Sequence, residues 1–445
     1  MSVYWLLLFC SIFLILEILV LKLEYISPVF LYTASFVLCS MCTAYMSNYW
    51  PEIEYLQIET VYLIVISIAI FLLIEFIFAI MAQSLRYKNV TMSSVCKKST
   101  YSRLNVSKSV IFFAIILGLL CVIWTFTYIL KYISAGDWVA VMAMYKDTVN
   151  TNVSDFGVTR KFLNQFMKLM TGFSYVFLFV YVYQRVRKNL SVKTKALYHV
   201  IFVVYMLFRL LLSGGRQGVI FFILAWITMY YICNVMDIDG KLKAINKKKY
   251  RKYLFSIVAS VFPLFYFFGR FVGRKIEDVI FNAAFSYLST GIYGLEQEIK
   301  NNYASQYWGE YSFPGMYDVL HFFEIIPSNV EQQSFLPFFG HGNTVSMLGR
   351  WYWDFGVLGV YIMVIITALV FCYIFYFGIK YKSQGHSRNI YIILYCYMIH
   401  VLYFAGYDDF WINIYSITFI CNLLLIIILY KYIVIKRLRI VFGEK

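Results

Sequence analysis

The chain has 445 residues, of which 62% are hydrophobic, 21% aromatic and 14% charged, and it carries a net charge of +16. A water-soluble domain has about 25% charged residues, so this surplus of apolar surface needs lipid as its solvent. The positive charge lies in short loops between apolar runs, where it signals topology; nucleic acid is excluded as a partner.

At ~20 residues per bilayer crossing, about eleven runs are long enough to span. They cover 3–21, 28–47, 61–83, 109–132, 166–184, 197–213, 217–236, 253–271, 355–379, 389–405 and 412–434. The pair flanking Ser213–Gly218 also reads as one long kinked run. The first run follows no basic segment and is long enough to span, so no cleavable signal peptide is expected. Eleven spans put 27 of the 39 lysines and arginines on one side, which is then cytoplasmic. The N-terminus lies outside and the C-terminus inside. The fold class expected is an all-α polytopic membrane protein in three blocks. Residues 1–271 hold helices 1–8 and an outer loop at 133–165. Residues 272–354 form one long extracytoplasmic loop. Residues 355–445 hold helices 9–11 and the cytoplasmic C-terminus. Long loops are usually functional. Residues 48–60 and the tip 406–411 form short acidic outer loops.

Eight of the nine cysteines lie in or at apolar runs and none falls in the long polar loops, so neither a disulfide framework nor a zinc site is expected. Arg216 stands in Ser213-Gly-Gly-Arg-Gln-Gly218. Glycines let a backbone turn tightly and approach a ligand, and a guanidinium matches phosphate oxygens. The alternative is a turn whose arginine snorkels to lipid headgroups. Arg270 and Arg274 are one helical turn apart and could clamp a diphosphate or anchor the interface. Phe339-Gly-His-Gly-Asn343 makes His341 an exposed acid–base candidate, with His321 as its rival. Asp354 follows Arg350 by one turn, and the two could pair. Trp308, Trp351 and Trp353 could stack on sugars or form an interface belt. Asp408 and Asp409 could serve as a base or stay solvated. Glu17, Glu75 and Arg209 are ionisable within spans, and Glu75 could neutralise Arg209.

Three features resemble the bacterial oligosaccharide repeat-unit polymerases, the Wzy-type O-antigen and capsule polymerases, which are related to O-antigen ligases. They are the many spans, the Ser-Gly-Gly-Arg turn at 213–216 leading into an apolar helix, and the late outer loop closing with Asp354-Phe-Gly-Val-Leu-Gly359. The resemblance implies a fold like the GT-C membrane glycosyltransferases, an inner-membrane location and no metal or other cofactor. It implies transfer of a growing glycan from undecaprenyl diphosphate onto another carrier-linked repeat unit, making O-antigen or capsular polysaccharide outside the cell. Membrane lipid, a flippase and a chain-length regulator are the partners it implies. Only Arg216 lies in a motif that matches the family. By chemistry and position, Arg216, Arg270, Arg274 and Arg350 would hold diphosphate. His341, then Asp354 or Asp408, would act as base, and Trp308, Trp351 and Trp353 would face glycan. The competing readings are an O-antigen ligase, a polysaccharide or lipid-linked-sugar transporter, and an acyltransferase built on His400.

Overall fold

The computed structural model describes residues 1–19, 24–92, 104–131, 137–151, 158–186, 190–235, 280–301, 305, 308–325, 341–342, 344–382 and 385–437. Among these the chain is helical, and its only β-pairing is a single bridge between Ser2 and Tyr55. The helices are α1 Val3–Leu19, α2 Pro28–Met46, α3 Ile58–Met92, α4 Lys108–Ile129, α5 Trp138–Thr151, α6 Val158–Val186 and α7 Val192–Ser213. They continue as α8 Gln217–Val235, α9 Ile280–Asn301, α10 Pro314–Phe322, α11 Met347–Cys372, α12 His386–Met398, α13 His400–Tyr403 and α14 Ile417–Leu429. Both α11 and α14 run on as π-helix, over Tyr373–Lys380 and Tyr430–Ile435.

Eight described helical stretches are long and apolar enough to cross a bilayer: Pro28–Met46, Ile58–Leu85, Lys108–Ile129, Thr159–Val186, Val192–Ser213, Gln217–Asn234, Met347–Lys380 and Ile417–Ile435. This is the architecture of a multi-pass membrane protein. Of the other expected spans, α1 is apolar but only 17 residues long. The run 389–405 is broken between α12 and α13. The run 253–271 lies outside the described residues. The pair around Ser213–Gly218 is two helices, because Gly214 ends α7 in the left-handed region with φ 57°.

The chain forms two compact units. The first comprises Met1–Cys96, Phe281–Lys382 and Met398–Ile420, and the second comprises Lys97–Ile280, Ser383–Tyr397 and Cys421–Lys445. In the first, α1 packs on α2 and α3, and α3 packs on α11. Glu75 of α3 is buried where its Oε2 accepts the Val29 amide at 2.6 Å and its Oε1 accepts the Tyr376 hydroxyl at 2.8 Å. The carboxylate expected to neutralise Arg209 is thus satisfied at the start of α2, whose Ser27 makes no side-chain cap. Glu17 is likewise buried, and accepts the Thr33 hydroxyl at 2.6 Å. In the second unit α7 packs on α4, α6 and α8.

The segments expected as loops contain helices. Residues 133–165 hold α5 and the start of α6, and residues 272–354 hold α9, α10 and the first turns of α11. Ile292, Leu295 and Ile299 recur at helical spacing along α9 and are buried. Helix α11 begins before the expected span and breaks at Gly356, whose φ of 64° is one only glycine adopts freely. The acidic segment 406–411 is not a solvated tip. The Gly406 amide donates to Ser35 Oγ of α2 at 2.9 Å, and the other side of the segment meets α9. There a Cβ on Gly291 would lie 2.3 Å from the Gly406 carbonyl oxygen and 2.5 Å from that of Tyr407. Backbone rather than a flexible side chain fills that space. Gly291→Ala should therefore destabilise the protein by about 1–3 kcal/mol, the usual cost of overpacking. Thermal unfolding in detergent would read this as a lowered midpoint.

Candidate functional site

One end of the first unit gathers segments far apart in sequence. The Met1 ammonium donates to the Leu56 carbonyl, and the Val3 amide donates to the Glu54 carbonyl at 3.0 Å. Glu296 of α9 accepts the Gln57 amide at 3.1 Å and the Thr60 hydroxyl at 2.6 Å, fixing α9 to the start of α3. The Ser346 amide donates to the Gly291 carbonyl at 2.9 Å and the Met347 amide to the Ala405 carbonyl at 2.8 Å, so α11 starts between α9 and the 404–411 segment.

Arg350 sits in the first turns of α11 among buried carboxyl groups. Its Nη2 lies 3.8 Å from Asp408 Oδ1, with side-chain exposures of 7% and 13%. Glu298 and Asp409 are fully buried, and Arg350 acts electrostatically on both. Glu298 comes close because Gly349 has no side chain; a Cβ there would lie 2.5 Å from Glu298 Oε2. Among the described residues neither Glu298 oxygen has a hydrogen-bond partner, and neither does Asp409 Oδ2. Burial pushes the Glu298 carboxyl well above its ordinary range, against the pull of Arg350. Burial also raises Asp408, and takes Asp409 to about 8 with the help of the Asp408 charge. One guanidinium cannot balance these groups, so the cluster holds protons at neutral pH.

Asp354 does not pair with Arg350. Its Oδ1 accepts the Tyr311 amide at 3.3 Å and its Oδ2 the Ser312 amide at 2.6 Å. The carboxylate thereby orders the chain leading into α10. Trp353 helps by stacking on Tyr311 at 4.5 Å. Of the tryptophans proposed for glycan, Trp351 is fully buried and Trp353 nearly so, while Trp308 is 68% exposed. Only Trp308 offers a free ring face in this structure. Arg350 is likewise enclosed as a counter-ion to carboxylates.

His341 is at the rim. Its Nε2 lies 2.6 Å from Glu52 Oε1, and the two side chains are 28% and 41% exposed. The imidazole stacks on Trp50 with centroids 4.0 Å apart and planes 10° apart, and meets Tyr293 of α9 edge-on at 5.1 Å. The hydrogen bond from His341 holds the Glu52 carboxyl below its ordinary value, and the Lys300 charge adds a little. His321, its rival, lies in the last turn of α10.

In the second unit, Arg216 is buried at the start of α8, where its carbonyl accepts the Val219 and Ile220 amides, each at 3.2 Å. Basic side chains border this turn. A Cβ on Gly214 would lie 3.3 Å from Lys146 Cβ, and one on Gly218 would run into Arg209. Arg160 lies 5.6 Å over the ring of Tyr145, whose hydroxyl donates to the Leu212 carbonyl at 2.8 Å. Beside the turn, Val122, Ile123, Phe126, Trp138, Leu207 and Leu211 line an open apolar cavity of ≈ 430 Å³ between α4, α5 and α7. Arg270 and Arg274 lie outside the described residues.

Comparison with protein-family models, curated proteins and solved structures finds no match to the chain. Sequence reading missed Glu298, Glu52, Lys146 and Arg160 as neighbours of the candidate residues. The apolar periodicity of α9 was a usable signal for Glu298; nothing in the sequence paired Glu52 with His341.

The buried acids predict an inverse dependence of stability on pH. Folded Asp409 keeps a proton that the unfolded chain releases from its ordinary value of 3.8 upward, up to about 8. Across that window the folded state binds more protons, so stability falls as pH rises. Asparagine keeps the shape and cannot ionise. The melting temperature of Asp409→Asn minus that of wild type should therefore climb from pH 5 to pH 8; a flat or falling difference would refute the assignment.

Proposed function

We propose that the protein joins undecaprenyl-diphosphate-linked oligosaccharide repeat units into O-antigen or capsular polysaccharide on the outer face of the bacterial inner membrane. The observation that carries this reading is the Arg216 turn, where basic side chains border a helix start beside an open apolar cavity. A lipid-linked diphosphate has the matching parts. Its phosphates need guanidinium and backbone N–H donors, and its isoprenyl chain needs an apolar groove open to lipid. The leaving group is the diphosphate, so positive charge placed on it stabilises the transition state. No ATP is available outside the cell, and the diphosphate bond already stores the energy that the transfer needs.

In this reading Arg216 of the second unit holds diphosphate, with Lys146 and Arg209 bordering its turn. In the first unit His341 is the candidate base and exposed Trp308 the candidate glycan contact. The multi-pass helical architecture and the acid–base groups at one end of the first unit support it. The resemblance of Ser213–Arg216 to the polymerase motif supports it independently.

Purified protein in proteoliposomes, given a carrier-linked repeat unit, should produce a ladder of carrier-linked oligomers. Arg216→Ala should lower the rate by about 10²- to 10³-fold, the effect of removing one charge-stabilising donor. Transport of the substrate with no joining would point to a transporter. Transfer only to a lipid core would point to a ligase. An unchanged ladder from Arg216→Ala would remove the diphosphate site.

A further inference from the structure

The His341 ring is bonded to a carboxylate, that of Glu52. Two segments 289 positions apart in sequence make this contact. Trp50 covers one face of the imidazole and Tyr293 meets its edge, while Trp50 and Tyr293 are themselves in contact at 5.9 Å. The loop is seated from below, because a Cβ on Gly342 would lie 2.7 Å from Thr290 Cγ2 of α9. Glu52 lies in the short 3-10 turn Pro51–Ile53, which is tied to Trp50 by the Ile53 amide at 3.1 Å. The ring therefore has a fixed face and one fixed nitrogen. No described group hydrogen-bonds to the other nitrogen, Nδ1.

A histidine held by a carboxylate through one nitrogen presents the other as a base in a defined tautomer and direction. Among the described residues, Lys300 of α9 acts on Glu52, and Tyr293 is a titratable group against the ring.

We propose that Glu52 and His341 act as one acid–base unit: Glu52 holds the imidazole by Nε2–H, and Nδ1 accepts the proton of the acceptor sugar hydroxyl. This rests on the glycan-joining reading above. The hydroxyl oxygen forms the new bond to the anomeric carbon as the bond from that carbon to the diphosphate oxygen breaks. The diphosphate leaves with the electron pair, the hydroxyl proton rests on Nδ1, and the imidazolium then releases it to solvent. Glu52 touches no reacting atom, so it is a positioning residue, and it stabilises the imidazolium through its negative charge.

The test uses the full chain in proteoliposomes with a carrier-linked repeat unit. His341→Gln should lower kcat by about 10²- to 10⁴-fold. Glu52→Gln, which keeps the shape and removes the charge, should lower kcat by about 10- to 100-fold with KM unchanged. It should also move the acid limb of the pH profile to lower pH, because the imidazolium loses its counter-charge. Glu52→Asp should recover part of the rate. As a readout independent of turnover, the isotope-labelled ring-nitrogen NMR signals that vanish in His341→Gln report the tautomer, and they should move in Glu52→Gln as the carboxylate that fixes Nε2–H is lost. Wild-type activity with a Glu52→Gln profile superimposable on it, or unmoved ring-nitrogen signals, overturns the dyad alone. A wild-type protein that joins no glycan overturns the functional reading and the proposal together.

Discussion

Glu75 and Glu296 each supply, from another segment, an acceptor for a helix start. The first amides of a helix have no partner within it, and lipid offers none. Glu75 reaches the Val29 amide of α2, and Glu296 reaches the Gln57 amide at the start of α3. A negative charge there also meets the favourable end of the helix dipole. The arrangement meets two demands at once, because each carboxylate would itself be costly if buried alone. It also couples fold to site. Glu296 and Glu298 lie on the same turn of α9, so the contact that holds α3 sets where the second carboxylate meets Arg350.

The apolar spans were legible in the sequence because lipid imposes a simple length rule. Helices α2, α4, α7, α8 and α14 fall where continuous apolar runs place them. The amphipathic helices were not legible. A helix with one buried face, such as α9, has the average composition of a polar loop, and only the spacing of Ile292, Leu295 and Ile299 separates the two. The break after Met398 was equally hidden. The run 389–405 is apolar enough to span, yet the helix breaks after Met398 and Gly406 packs against α2, where its amide finds Ser35 while the Gly406 and Tyr407 carbonyls lie against Gly291 of α9.

Site residues were legible by type and not by partner. Arg350 and Asp354 stand four apart, the spacing of a helical ion pair, but tertiary donors outcompeted it: two backbone amides hold Asp354, and Asp408 faces Arg350. Trp351 and Trp353 have the right chemistry for sugars and lie inside the protein, where α11 needed bulk. His341 was recognisable from its flanking glycines as a surface histidine. Its carboxylate came from a loop that showed only as acidic.

Two arginines that look alike in sequence differ in what the fold places beside them. Both Arg216 and Arg350 are buried near helix starts. Two unit charges 4 Å apart interact by about 4 kcal/mol at an effective dielectric constant of 20, which exceeds the net worth of most single hydrogen bonds. Around Arg350 stand the acidic Asp408, Glu298 and Asp409. A diphosphate entering there would meet repulsion. Lys146 and Arg209 border the Arg216 turn, and the diphosphate proposed for Arg216 would make the same guanidinium an anion ligand there, whereas at Arg350 it is an internal counter-ion.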